Sequence, residues 1–151
     1  MIYKSKNEND TYLLAAKLAY LLKGGDIVLL NGDLGAGKTT FVKGIAKALK
    51  VKEVVTSPTF TLLKTYKSDR YEIVHIDAYR LENSIFEEMD DYLNDENVLF
   101  IEWSSYLKNQ DDIQENLTIN IQYVSKNQRI FTLIANGKKY ELILQELLKN
   151  V

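Results

Sequence analysis

An apolar run, Ile27-Val28-Leu29-Leu30, leads through Asn31 into Gly32-Asp33-Leu34-Gly35-Ala36-Gly37-Lys38-Thr39, and a stretch with Phe41, Ile45, Ala48 and Leu49 on one side follows. The middle segment satisfies G-x-x-x-x-G-K-S/T, the phosphate-binding loop. Glycines let the backbone curl until successive N–H groups converge on an anion with no Cβ in the way. The helix that follows points the positive end of its dipole at the same anion. A lysine placed as Lys38 adds a full charge near the outer phosphates, and a hydroxyl placed as that of Thr39 can ligate Mg²⁺. A buried strand, a glycine-rich turn and a helix form the context in which this pattern has a mechanism. They constrain the chain to an α/β fold with a parallel core.

The remaining periodicities agree. Leu14, Leu18, Leu21 and Leu22 mark a first helix capped by Asp10 or Thr11 and ended by Gly24-Gly25. Val54-Val55-Thr56 reads as a short strand, and Thr61 to Tyr66 with Tyr71 to Ile76 as a hairpin turning at residues 67–70. Ser84 and Glu87 suggest a capping box for a helix reaching about Leu93. Val98-Leu99-Phe100-Ile101 is a second fully apolar strand. Alternation at Leu117, Ile119, Ile121, Tyr123 and then at Ile130, Thr132, Ile134 predicts half-exposed antiparallel strands, and Tyr140 to Leu148 closes the chain as a helix or a strand. The expectation is a single domain over residues 1–151. It is α/β and P-loop NTPase-like, with a mostly parallel central sheet flanked by helices and antiparallel strands at the C-terminal side.

A P-loop enzyme also needs an acidic residue at the end of a neighbouring buried strand, to hold Mg²⁺ or orient water. Two compete: Glu102 ends the 98–101 strand and Asp77 ends the 71–76 strand. The division of metal and water between them stays open. Ser57-Pro58-Thr59-Phe60-Thr61-Leu62 places three hydroxyls around the only proline, as a switch loop that senses phosphate and Mg²⁺ would. His75 shares strand parity with Asp77 and reads as a packed sheet histidine rather than a base.

Composition removes the competing chemistries. The chain has no cysteine and one histidine, which excludes disulfides, a thiol nucleophile and thiolate or histidine-rich metal centres. Its 19 basic and 21 acidic residues argue against a free-standing nucleic-acid binder. The polar start, MIYKSKNENDT, carries no apolar leader segment. The most hydrophobic early stretch, Tyr12 to Leu22, is interrupted by Lys17 and falls short of the ~20 residues a membrane span needs. A cytoplasmic protein with no membrane contact is expected.

In order and spacing, Gly32 to Thr40, Ser57 to Leu62, His75-Ile76-Asp77-Ala78-Tyr79-Arg80-Leu81 and Glu102-Trp103 resemble the TsaE (YjeE) family, small ATPases of tRNA threonylcarbamoyladenosine modification. The resemblance covers residues 8 to 107 well and the rest loosely. It implies ATP and Mg²⁺ as ligands. Asp33, Leu34, Gly35, Ala36, Gly37, Lys38, Thr39 and Thr40 would wrap the phosphates. Thr39, Glu102 and Asp77 would serve the metal, and Lys38, Asp77 and Glu102 the catalysis. Thr59 and Thr61 would lie in the switch-like loop, Tyr79 and Arg80 would shape the active face, and Trp103, Thr11 and Arg129 would approach the nucleotide. Two positions depart from the family: Met89 to Leu93 lacks its usual glycine, and Ser104 stands where a proline is common.

The resemblance also implies partners, the TsaD and TsaB proteins, with tRNA reached through them. The segment 82–96 carries Glu82, Glu87, Glu88, Asp90, Asp91, Asp95 and Glu96 and no base, a composition that repels a phosphate backbone. Lys43, Lys47 and Lys50 read as a solvated helix face. The alternatives are a small P-loop kinase, a nucleotide switch of another pathway, and a non-enzymatic module whose P-loop binds nucleotide only for folding. A kinase would carry an arginine-bearing lid, whereas only Arg70, Arg80 and Arg129 are present; a GTP switch would carry Asn-Lys-x-Asp, which is missing.

Overall fold

The computed structural model describes residues 1–151, apart from the side chain at position 112. Seven strands form one mixed sheet: β1 (Ile2–Ser5), β2 (Ile27–Asn31), β3 (Leu63–Tyr66), β4 (Glu72–Asp77), β5 (Asn97–Glu102), β6 (Asn116–Tyr123) and β7 (Arg129–Asn136). Their spatial order is β1-β7-β6-β2-β5-β4-β3. The central pairs β6·β2, β2·β5 and β5·β4 are parallel, and the outer pairs β1·β7, β7·β6 and β4·β3 are antiparallel. The fold class read from the sequence is therefore borne out, with antiparallel strands at both edges.

Side-chain alternation splits the core into two layers. On one face Val28, Leu30, Ile73, Val98 and Phe100 pack with α1 (Glu8–Leu21), α2 (Lys38–Ala48) and α4 (Lys138–Asn150), through Leu14, Leu18, Phe41, Ile45, Tyr140 and Leu147. On the other, Leu29, Val74, Ile76, Leu99 and Ile101 are covered by the 78–113 segment through Phe86, Met89, Leu107 and Ile113.

Three local expectations need correction, and one strand is new. Helix α1 starts at Glu8 and its cap is Asn7, whose Oδ1 accepts the Asp10 N–H at 2.9 Å, while Asp10 Oδ2 accepts the Lys6 N–H. With Asn7 as the cap, Asp10 and Thr11 fall inside the first turn, and Thr11 bonds Ser5 instead. Residues 54–56 are not a strand, since the Thr56 N–H is taken by the Tyr66 hydroxyl and Val54 faces solvent. Ser84 caps nothing: its backbone bridges to Leu107 and its carbonyl accepts the Lys108 N–H, so helix α3 is confined to Met89–Tyr92. Strand β1 was not foreseen, because a single short edge strand among polar residues has little periodicity to read. The C-terminal segment is a helix.

Candidate functional site

All three parallel pairs run toward the same end of the sheet, and the turns leaving their carboxyl ends build the site. Strand β2 ends at Asn31 and α2 opens at Lys38, with Gly37 as its cap in a left-handed conformation (φ 115°). Gly35 is also left-handed (φ 80°), and no heavy atom lies within 4 Å of where its Cβ would be. These two positions turn the 32–39 loop so that its crest stays open to a ligand. Asp33 and Leu34 are exposed on that crest, whereas Ala36 and Lys38 are buried.

Lys38 is held from below. Its ammonium donates to the carbonyl oxygen of Gly32 and lies 4.3 Å from the centre of the Trp103 ring. Burial pushes its pKa below the ordinary lysine value, and the negative charges of Glu102, Asp77 and Asp33 oppose that shift. The cation is thus partly stripped of water and poised before a row of acids.

Those acids come from adjacent strands. Asp77 of β4 and Glu102 of β5 are register partners at the carboxyl ends of a parallel pair, and both are at least 95% buried. Asp77 accepts twice: from the Tyr79 N–H at Oδ1 (3.0 Å), starting the 3₁₀ turn Ala78–Leu81, and from the Thr59 hydroxyl at Oδ2 (3.0 Å). The Ser57–Leu62 loop is pinned there a second time, because the Asp77 N–H donates to the Leu62 carbonyl. Glu102 instead meets His75, whose Nε2 lies 2.6 Å from Oε2. His75 is packed in the sheet, as expected, but its tie to Glu102 was missed. Parity held the clue: Asp77 pairs with Glu102 and His75 with Phe100, so His75 sits diagonal to Glu102 on the same face.

One cleft gathers Leu34, Gly35, Gly37, Lys38, Thr39, Thr40, Ser57, Thr59, Asp77, Glu102 and Trp103. Thr61 is exposed and does not line it. A second hollow on the far side of the loop shares Gly37 and Thr40 with the first, and adds Asn7, Glu8, Thr11, Lys126, Asn127, Arg129 and Phe131. Thr11 and Arg129 therefore stand beside the loop. The guanidinium of Arg129 engages protein backbone: Nε donates to the Ala36 carbonyl at 2.7 Å, and Nη1 to that of Ser125 at 2.6 Å. Lys126 and Asn127 escaped the sequence reading because a polar hairpin turn looks the same whether or not it lines a pocket. Tyr79, Trp103 and Tyr106 form an aromatic cluster with centroids 5.2–5.6 Å apart, and Arg80 lies over Phe60.

The donor set suits a hard divalent cation. Thr39 and the two carboxylates offer oxygen ligands, and neighbouring carboxylates repel unless a cation stands between them. No group of three or more His, Cys, Asp or Glu side chains able to hold a metal occurs among the described residues. A metal here would complete its shell with water and phosphate, as Mg²⁺ does.

Comparison with known proteins bears on the whole chain. A family model described as "Threonylcarbamoyl adenosine biosynthesis protein TsaE" matches residues 5–131. The tRNA threonylcarbamoyladenosine biosynthesis protein TsaE of Bacillus subtilis (strain 168) is 37% identical over 146 residues, spanning 96% of this chain and 92% of the relative. Its Aquifex aeolicus (strain VF5) counterpart is 44% identical over 126 residues, spanning 82% and 88%. The crystal structure of Bacillus subtilis YdiB superposes with a TM-score of 0.85 at 34% identity, covering 99% of this chain and 95% of that one.

Proposed function

The chain belongs to the TsaE family of tRNA threonylcarbamoyladenosine biosynthesis, and on that premise we propose that it is a Mg²⁺-dependent P-loop ATPase, an accessory subunit hydrolysing ATP in a cytoplasmic complex with TsaB and TsaD proteins. The observation that carries this reading is the cross-strand pairing of Asp77 with Glu102 in the same cleft as Lys38 and Thr39. A loop that only gripped a nucleotide for folding would not need two buried carboxylates at its mouth.

The N–H groups of residues 33–39 and the Lys38 ammonium receive the phosphates, and the dipole of α2 adds to their pull. Thr39 and Asp77 would hold Mg²⁺, which neutralises charge on the phosphates, and Glu102 beside them is given to the water. Glu102, with one oxygen tied to His75, offers Oε1 as the acceptor for the attacking water's proton. The new bond joins that water to the γ-phosphorus, the bond to the β-phosphate oxygen breaks, and ADP and phosphate leave. Thr59, bonded to Asp77, couples the 57–62 loop to the state of the site.

Direct tRNA binding is disfavoured by the acidic segment. All seven acids of residues 82–96 are exposed, so the tRNA is reached through the partners. No helix among the described residues is long and apolar enough to cross a membrane. A kinase would bring arginines over the transferred phosphate. Arg70 lies on Tyr20, Arg80 on Phe60, and Arg129 on loop carbonyls, so the cleft that holds Asp77 and Glu102 has none.

The test is ATP hydrolysis measured with and without the TsaB–TsaD pair and tRNA, beside reconstituted tRNA modification. Hydrolysis raised by the partners, and multiple-turnover product that requires this chain, are the expected results. Unchanged multiple-turnover modification when the chain is omitted would overturn the reading.

A further inference from the structure

Resting on the ATPase reading, we propose that His75 is a positioning residue for hydrolysis: its imidazole fixes Glu102 through Oε2 so that Oε1 is the oxygen presented to the cleft. His75 is wholly buried and does not line the cleft, so it acts on a ligand only through its neighbour. Its Nε2 lies 2.6 Å from Glu102 Oε2, while Nδ1 is buried with no hydrogen-bond partner among the described residues. A proton on Nδ1 would be an orphaned buried donor, whereas a bare Nδ1 lone pair costs less. The geometry therefore puts the proton on Nε2, donated to Glu102.

The Glu102 carboxylate has no other hydrogen-bond partner among the described residues, so this single bond sets its orientation. A glutamate otherwise turns about three side-chain bonds, and a carboxylate that must meet one water in one direction gains from having that freedom removed beforehand. Asp77 is fixed by different means, through Thr59 and the Tyr79 N–H. The two acids thus enter the site from separate supports, and His75 serves Glu102 alone.

Two measurements decide the matter. His75 is the only histidine, so a ¹⁵N-histidine spectrum of the full-length protein reports this ring without overlap. The expected spectrum shows a slowly exchanging proton on Nε2 and a bare Nδ1, and Glu102→Gln shifts the Nε2 signal. An Nδ1–H tautomer, or a signal indifferent to Glu102→Gln, overturns the proposal whether or not the protein hydrolyses ATP. In kinetics with the partner pair present, His75→Phe, which fills the space without a donor, should lower kcat about 10–100-fold, as loss of an outer-shell support does elsewhere. KM for Mg·ATP should stay within about twofold. His75→Gln, whose Nε2 reaches the same point, should recover most of the rate. A His75→Phe variant with wild-type kcat, or His75→Gln no better than a folded His75→Phe, refutes the positioning role. Wild-type protein with no hydrolysis at all refutes the ATPase reading instead, and the spectrum alone then decides whether His75 orients Glu102.

Discussion

Arg129 Nε donates to the carbonyl oxygen of Ala36 across 2.7 Å, joining the end of the β6–β7 turn to the crest of the phosphate loop. Nη2 reaches the Gly35 carbonyl at 3.4 Å, Nη1 binds the carbonyls of Ser125 and Gln128, and the guanidinium lies over Tyr123. One planar cation thus ties two backbone segments that share no strand pairing. The resemblance implied a nucleotide contact for this residue; the observed bonds go to the loop itself, so its effect on the proposed nucleotide would run through the shape of the loop.

Arg129→Lys should therefore fail to rescue Arg129→Ala, because a lysine cannot serve carbonyls in two directions through a planar fork. Both variants should weaken nucleotide binding by about tenfold, the loss of a charged hydrogen bond worth about 1.5 kcal/mol. Faster amide exchange within residues 33–37 should accompany it. Titration with a non-hydrolysable ATP analogue and hydrogen exchange check the two effects, and wild-type affinity in Arg129→Lys would count against the loop-bracing role.

Lys38 gives a pH signature. Burial lowers its pKa from 10.5, so the neutral amine appears at lower pH than for a solvated lysine. Between the folded and unfolded values the unfolded chain holds the extra proton, so this group's contribution to stability rises with pH across that window. Nucleotide affinity should move the other way, falling as the ammonium is lost, because the phosphates need the charge. Binding measured from neutral to alkaline pH in wild type and Lys38→Arg separates the terms: the arginine variant, always charged, should show no such alkaline loss. Lys38→Ala should weaken binding about 30-fold or more at neutral pH.

The acids should separate in phenotype. Glu102→Ala is expected to keep ATP and lose hydrolysis, since Glu102 holds no element of the phosphate loop by hydrogen bonding among the described residues. Asp77→Asn retains an acceptor for the Tyr79 N–H and so preserves the 3₁₀ turn, yet loses a negative charge. Its hydrolysis should become insensitive to Mg²⁺ concentration in the range where the wild type responds. Equilibrium binding and single-turnover hydrolysis distinguish them, and wild-type hydrolysis by Glu102→Ala would remove Glu102 from the mechanism.

What was legible in the sequence followed from strong local physics. The run from Ile27 to Leu30, the glycine turn and Lys38 specify strand, loop and helix through contacts close in sequence, and β5 was visible because both its faces are apolar. The supports of the site were illegible because they cross long sequence separations. His75 finds Glu102 only once β4 and β5 are in register, and Arg129 finds Ala36 only once β7 is placed at the far side of β6. Where partners outside the local segment took the backbone groups, the Thr56 N–H going to the Tyr66 hydroxyl and the Ser84 carbonyl to the Lys108 N–H, the expected strand and capped helix did not form.

A last prediction concerns the seat of the phosphate-loop helix. Gly44 on α2 faces α1 so closely that a Cβ would stand 2.7 Å from Ala15 Cβ, 3.0 Å from Tyr12 Cδ1 and 3.3 Å from Tyr12 Cα. Gly44→Ala gains helix propensity worth about 1 kcal/mol, against an overpacking cost of about 1–3 kcal/mol. The Tyr12 ring can swing aside, but the Ala15 methyl and the Tyr12 backbone move only with helix α1. The clash should prevail, lowering the Tm by about 2–6 °C for a domain of this size. Ala15→Gly, which removes the closest atom, should destabilise on its own and still lose less in combination with Gly44→Ala than the two single losses added. Thermal melts of the four proteins close this cycle, and strict additivity would show that the α1–α2 spacing is not what excludes a side chain at Gly44.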